Sequence, residues 1–151
     1  LLLHRTPEYG PALVTLLFVV VMVNDTMAFV IGSMFGRHKM APKVSPGKTW
    51  EGAAAAFLGA VASMFVMHLF GTKGSWADAL PDWSLGFYLS SGAVLSVAAQ
   101  IGDLTESCLK RDAGVKDSGG FFPGHGGVLN RCDGFLFAAP VLYYIFVPLF
   151  I

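Results

Sequence analysis

Four long apolar runs dominate the sequence and leave few polar residues to clothe a water-soluble fold. They cover about residues 9–35, 50–70, 85–101 and 134–151. A membrane-crossing helix needs about 20 mainly apolar residues, and inside hydrocarbon the backbone must satisfy its own N–H and C=O groups. Any one run could be the buried helix of a soluble domain. Four of them in 151 residues leave too little polar surface for that. Charged residues make up 13% of the chain, against about 25% in a soluble domain. The expected fold class is all-α: a polytopic transmembrane helix bundle with long cytoplasmic loops.

The placement of Lys and Arg supplies the orientation. The segment after the first run holds Arg37, Lys39, Lys43 and Lys48, and the segment between the third and fourth holds Lys110, Arg111, Lys116 and Arg131. The other side has only Arg5 and Lys73, and Lys73 shares its segment with Asp78 and Asp82. Both basic segments are therefore expected in the cytoplasm, and an even number of spans returns the chain to the side on which it starts. The formal net charge is zero, so no bulk basic field points to nucleic acid. Cys108 and Cys132 have neither disulfide-framework nor zinc spacing and read as semi-buried reduced thiols. Leu1 opens the sequence without a methionine or a basic leader. That start reads as the C-terminal membrane portion, residues 1–151, of a longer catalytic protein.

The densest polar segment is Gly102–Gly134, GDLTESCLKRDAGVKDSGGFFPGHGGVLNRCDG. It mixes the acids Asp103, Glu106, Asp112, Asp117 and Asp133 with four cations and many glycines. Carboxylates collect hard cations such as Mg²⁺, Lys and Arg neutralise phosphate, and glycine lets backbone N–H groups approach an anion. Together they describe a metal–polyphosphate site; a solvated loop laced with ion pairs is the plainer alternative. If the third helix continues past Gly102, Asp103, Ser107 and Arg111 share one face at i, i+4 and i+8.

Asn24-Asp25 falls inside the first apolar run. An ionisable side chain within a span is costly and marks a functional site, or else an acid paired for packing. Ser45, Lys48 and Thr49 precede the second run and form an anion-binding corner at a helix start, with Glu51 placed to cap that helix or anchor a lysine. Gly47-Lys48-Thr49 resembles the end of a P-loop but lacks its first glycine, so that motif is excluded. His4, His38 and His68 have no ligand partners at useful spacing. His125 could serve as a base, yet a phosphate monoester nucleophile, with a second pKa of about 6, is largely ionised already. Hydrogen bonding or loop shaping fits His125 better.

The stretch Ser107-Cys-Leu-Lys-Arg-Asp-Ala-Gly-Val-Lys-Asp117, continued by Pro123-Gly-His-Gly-Gly127 and Arg131-Cys-Asp133, resembles the signature of the CDP-diacylglycerol synthases (phosphatidate cytidylyltransferases). Asn24-Asp25-Thr26 and Ser45-Pro-Gly-Lys-Thr-Trp-Glu-Gly52 resemble that family's upstream motifs in the same order. The resemblance implies transfer of CMP from CTP to phosphatidic acid, Mg²⁺ together with a monovalent cation such as K⁺, and a homodimer in the bacterial inner membrane. It implies Asp103, Asp117 and Asp133 as metal-site acids, with Ser107, Lys110, Arg111, Lys116 and Arg131 around the nucleotide and phosphates. Ser45, Lys48, Thr49, Asn24, Asp25 and His125 would assist in substrate binding. One departure stands out: Asn130 occupies a position where the family pattern has an acid before the arginine, so it would offer a metal a neutral carbonyl oxygen. A cytidylyltransferase for another lipid phosphate, such as an archaeal ether lipid, is the nearest alternative. An ion- or proton-coupled transporter, with Asp25 and Asp103 as a relay, is the alternative from another class, and a catalytically inactive subunit is the third.

Overall fold

A computed structural model describes residues 10–73, 80, 82–115 and 129–146. Within these residues lie helices α1 (Gly10–Phe35), α2 (Trp50–Lys73), α3 (Leu85–Asp112) and α4 (Leu129–Phe146). A small hairpin of β1 (Lys39–Ala41) and β2 (Ser45–Thr49) joins α1 to α2. The helical class read from the sequence is correct, and the hairpin is its one strand-forming exception among the described residues. Helices α1, α2 and α3 are long and apolar enough to cross a membrane, while the apolar part of α4, Asp133–Ile145, is shorter. Large apolar side chains such as Phe29, Met34 and Leu58 stay exposed on the bundle, as a membrane helix requires.

Each helix boundary has a local cause. Thr49 caps α2, its hydroxyl accepting the Gly52 N–H at 3.2 Å. Ser84 caps α3 in the same way through Phe87. The third helix does continue past Gly102, ending at Asp112, and Gly114 then adopts a left-handed backbone, φ +69°, that closes its end. The fourth helix begins at Leu129, five residues before the apolar run. The apolarity rule marks only the part of a helix that meets lipid, whereas a helix continues into polar surroundings at no cost to its hydrogen bonds. Asn130, Arg131 and Asp133 consequently stand on a helix and not in a loop.

Helix α1 packs on α2, α2 on α3 and α3 on α4, with α1 also touching α3 and α4. The core lies between the first half of α1 (Leu13, Leu16, Val20, Val21), Met64 of α2, Leu95 of α3 and Leu142 of α4. Two close approaches fix the end where the polar residues gather. A Cβ on Gly52 would lie 2.8 Å from the Ala28 carbonyl, so α1 and α2 touch backbone to backbone there. A Cβ on Gly102 would lie 2.6 Å from the Asp133 carbonyl, which brings the start of α4 directly against α3.

Candidate active site

Where the second half of α1, the hairpin, the start of α2 and the far half of α3 converge, they enclose a cavity of about 640 Å³. Asn24, Asp25, Lys48, Thr49, Asp103 and Asp133 all line it, although they are scattered over more than 100 positions of sequence. Gly32, Gly36 and Gly52 form part of its wall beside Thr49. Ser33, Lys39 and Gln100 add further polar groups, and Phe29, Met40 and Leu104 supply apolar wall. Charged groups beside apolar wall suit an amphiphilic ligand held at a membrane surface.

Charge is organised around Asp103. Its Oδ2 lies 2.8 Å from Lys48 Nζ, tying α3 to β2. Carboxylate oxygens of Asp103, Glu106 and Asp133 all lie within 4.8 Å of one another. Asp103 and Glu106 are one helical turn apart on α3, and Asp133 is delivered by α4 through the Gly102 contact. The Asp133 Oδ1 accepts the Gly134 N–H at 2.6 Å. Glu106 is paired with Lys110 at 2.6 Å through Oε2, while its Oε1 is buried and accepts no hydrogen bond from the described residues. Three carboxylates this close repel one another unless a positive charge sits among them. Their hard oxygen donors and the spare buried oxygen of Glu106 suit a small divalent cation such as Mg²⁺.

Glu106 belongs to this cluster, yet the sequence reading placed it only among the acids of the segment. The i, i+3 spacing from Asp103 was the signal that could have singled it out. Other expectations fall outside the cavity. Ser45 does not line it: it sits at the turn end of β2, three residues from Lys48 and so roughly 10 Å away along an extended chain. Lys110 and Arg111 lie about two helical turns beyond Asp103, or roughly 10–12 Å. Lys110 neutralises Glu106, and Arg111 Nε donates to the Val44 carbonyl at 3.0 Å, holding the hairpin turn against α3. Ser107 is half-buried between them and does not line the cavity either. The face shared by Asp103 and Arg111 is thus the one turned toward the hairpin, as the i, i+8 spacing implied.

Glu51 anchors a histidine and not a lysine. Its carboxylate meets His38 Nδ1 at 2.6 Å and both its oxygens lie 3.2 Å from the His38 N–H, clipping the end of α1 to the start of α2. Cys108 is exposed, contrary to the semi-buried reading, because the end of α3 projects past the bundle. Asp117, Lys116 and His125 lie outside the described residues. So do the side chains of Asn130, Arg131 and Cys132, whose backbone forms the first turn of α4.

Comparison with known proteins bears directly on this site. The model of the cytidylyltransferase family matches residues 1–149. The chain belongs to this family. A phosphatidate cytidylyltransferase of Brucella abortus is 42% identical over 150 residues, covering 99% of this chain and 52% of that protein. The enzyme of the same name from Haemophilus influenzae is 39% identical over 140 residues, 93% of this chain and 47% of the relative. That from Synechocystis is 40% identical over 146 residues, 95% and 47%. The chain spans about half the length of these cytidylyltransferases.

Proposed function

We propose that this chain forms the part of a phosphatidate cytidylyltransferase that binds CTP and transfers CMP to phosphatidic acid. The products are CDP-diacylglycerol and pyrophosphate. The observation that carries the reading is the meeting of Asp103, Glu106 and Asp133 beside Lys48, in a cavity whose wall also includes the apolar Phe29, Met40 and Leu104. The relatives named above support the choice of nucleotide and lipid.

In the proposed reaction a phosphatidate oxygen attacks the α-phosphorus of CTP in line, a P–O bond forms, and the bond to the β-phosphate breaks as pyrophosphate leaves. Asp103, Glu106 and Asp133 would hold Mg²⁺, with Asp117 and Asn130 as further ligands and a monovalent cation such as K⁺ nearby. When bound, such ions neutralise the developing negative charge on the phosphates. Lys48 faces the same space and would stabilise a phosphate oxygen directly. Lys110 pairs with Glu106 and orients it, and Arg111 holds the hairpin that carries Lys48. Lys116, Arg131 and His125 would complete the binding of the triphosphate, while Thr49 shapes the wall beside it. Asn24 and Asp25 lie on the membrane-embedded side of the cavity, where the lipid headgroup would arrive.

The bias of Lys and Arg toward the hairpin and the α3–α4 segment supports a site on the cytoplasmic face of a bacterial inner membrane. CTP would enter from the cytoplasm and phosphatidate from the bilayer, and a homodimer is the proposed assembly. The test is Asp133→Ala, assayed for transfer of labelled CMP from CTP to phosphatidate with and without Mg²⁺. Loss of at least about 100-fold is expected. Activity equal to the parent protein would remove Asp133, and with it the acidic cluster, from the reaction.

A further inference from the structure

A chain of polar groups runs along the cavity wall and links three apolar helices. Asn24 of α1 is 2% exposed and Ser96 of α3 is 0% exposed, so water cannot serve either side chain. Ser96 Oγ donates to Asn24 Oδ1 at 2.6 Å. Gln100, one turn further along α3, places its Nε2 3.1 Å from Ser96 Oγ and 3.3 Å from the Ala53 carbonyl of α2. The Asn24 amide also reaches the neighbouring carboxylate of Asp25, and both residues line the cavity.

The direction of every hydrogen bond in this chain follows from its far end. A backbone carbonyl can only accept, so the Gln100 group facing Ala53 must be its NH₂. That NH₂ donates to Ser96 Oγ, which leaves the Ser96 proton free to donate onward. The Asn24 atom that receives it must be the carbonyl oxygen, and the Asn24 NH₂ is then turned the other way. An asparagine amide is otherwise nearly symmetric in shape and could flip. Here the flip would place two acceptors, the Asn24 oxygen and the Asp25 carboxylate, against each other in a site poor in water.

We infer that Ser96 and Gln100 are positioning residues for the proposed CMP transfer, locking the Asn24 amide with its donor end toward Asp25 and the cavity. The inference rests on the function proposed above. Ser96 does not line the cavity and acts through Asn24; Gln100 lines it beside Asp103 and holds Ser96 from there.

The experiment compares Ser96→Thr with Ser96→Val in the full-length protein. Both add the same methyl bulk to a packed position, and they differ only in the hydroxyl. Ser96→Thr should keep kcat/KM for CMP transfer within about threefold of the parent, while Ser96→Val should lose about tenfold or more, the scale of one buried hydrogen bond. Ser96→Ala, which adds no bulk, repeats the test should the larger side chains prevent folding. The decisive step repeats the hydroxyl removal in an Asn24→Ala background. If Ser96 acts through Asn24, the second substitution changes kcat/KM less than about twofold. An undiminished loss in that background means Ser96 merely supports packing, and parent-like activity of both Ser96→Val and Ser96→Ala means the relay is irrelevant; either result overturns the inference. A parent protein that transfers no CMP would instead overturn the proposed function, so the two failures are distinguishable.

Discussion

The two halves of α1 are built from similar residues and live in different surroundings. Leu13, Leu16, Leu17, Val20 and Val21 of the first half are buried in the core, and burial stops at Asn24. Beyond it the helix stands against the cavity and the membrane, with Phe29 75% exposed. The first half is held by side-chain packing against the other helices. The second meets α2 by close backbone approach around Gly32 and Gly52, by Met27 lying against Gly59, and through the His38–Glu51 clip. One helix thus serves as core at one end and as cavity wall at the other. Stability resides where the side chains interlock, and ligand space opens where they do not.

Substitutions that break this contrast are expected to differ in size and in kind. Leu16→Ala, in the buried half, should cost about 2–5 kcal/mol through lost packing and the cavity left behind. Thermal unfolding in detergent would show it, and a change below about 1 kcal/mol would mean that the first half is not the stabilising one. Asp103→Ala should leave the unfolding temperature nearly unchanged and lower the proposed CMP transfer by about 100-fold, because it removes the partner of Lys48 and a member of the acidic cluster. Equal losses of stability and activity would argue that Asp103 is only a structural ion pair. Gly102→Ala should come next. The added methyl pushes the start of α4 away from α3, at a cost of about 1–3 kcal/mol, and should weaken the proposed Mg²⁺ dependence along with stability because Asp133 moves too. Normal Mg²⁺ dependence in that variant would detach the α3–α4 contact from the site. Thr49→Val removes the cap of α2 at similar volume and should cost about 1 kcal/mol. Phe29→Ala, on the exposed wall, should shift unfolding by less than about 0.5 kcal/mol; a larger loss would put the second half of α1 in the core after all.

Most of the bundle was legible in the sequence because the membrane imposes a simple rule. A span must be apolar for its whole depth, so residues 9–35, 50–70 and 85–101 announce α1, α2 and the apolar part of α3 without reference to any partner. The polar continuation of α3 was legible as well, since Asp103, Ser107 and Arg111 recur at helical spacing. The start of α4 was not, because nothing in the apolar count separates a polar helical turn from a loop. Glu51 finding His38 and the hairpin forming between α1 and α2 were likewise beyond reach, since each depends on how the chain turns between its helices.

What the amino-acid order determined by itself is the number of apolar helices, the side on which basic residues collect, and the presence of acids, cations and glycines suited to a phosphate ligand. Each follows from composition acting locally against lipid or water. Only the tertiary structure decided which of those groups meet. Asp133 joins Asp103 and Glu106 because Gly102 lets two backbones touch, Lys48 reaches Asp103 because the hairpin folds back over α3, and Asn24 has one orientation because a distant carbonyl on α2 polarises the chain of hydrogen bonds behind it. Such meetings depend on distances between helices, which no single segment of the chain encodes.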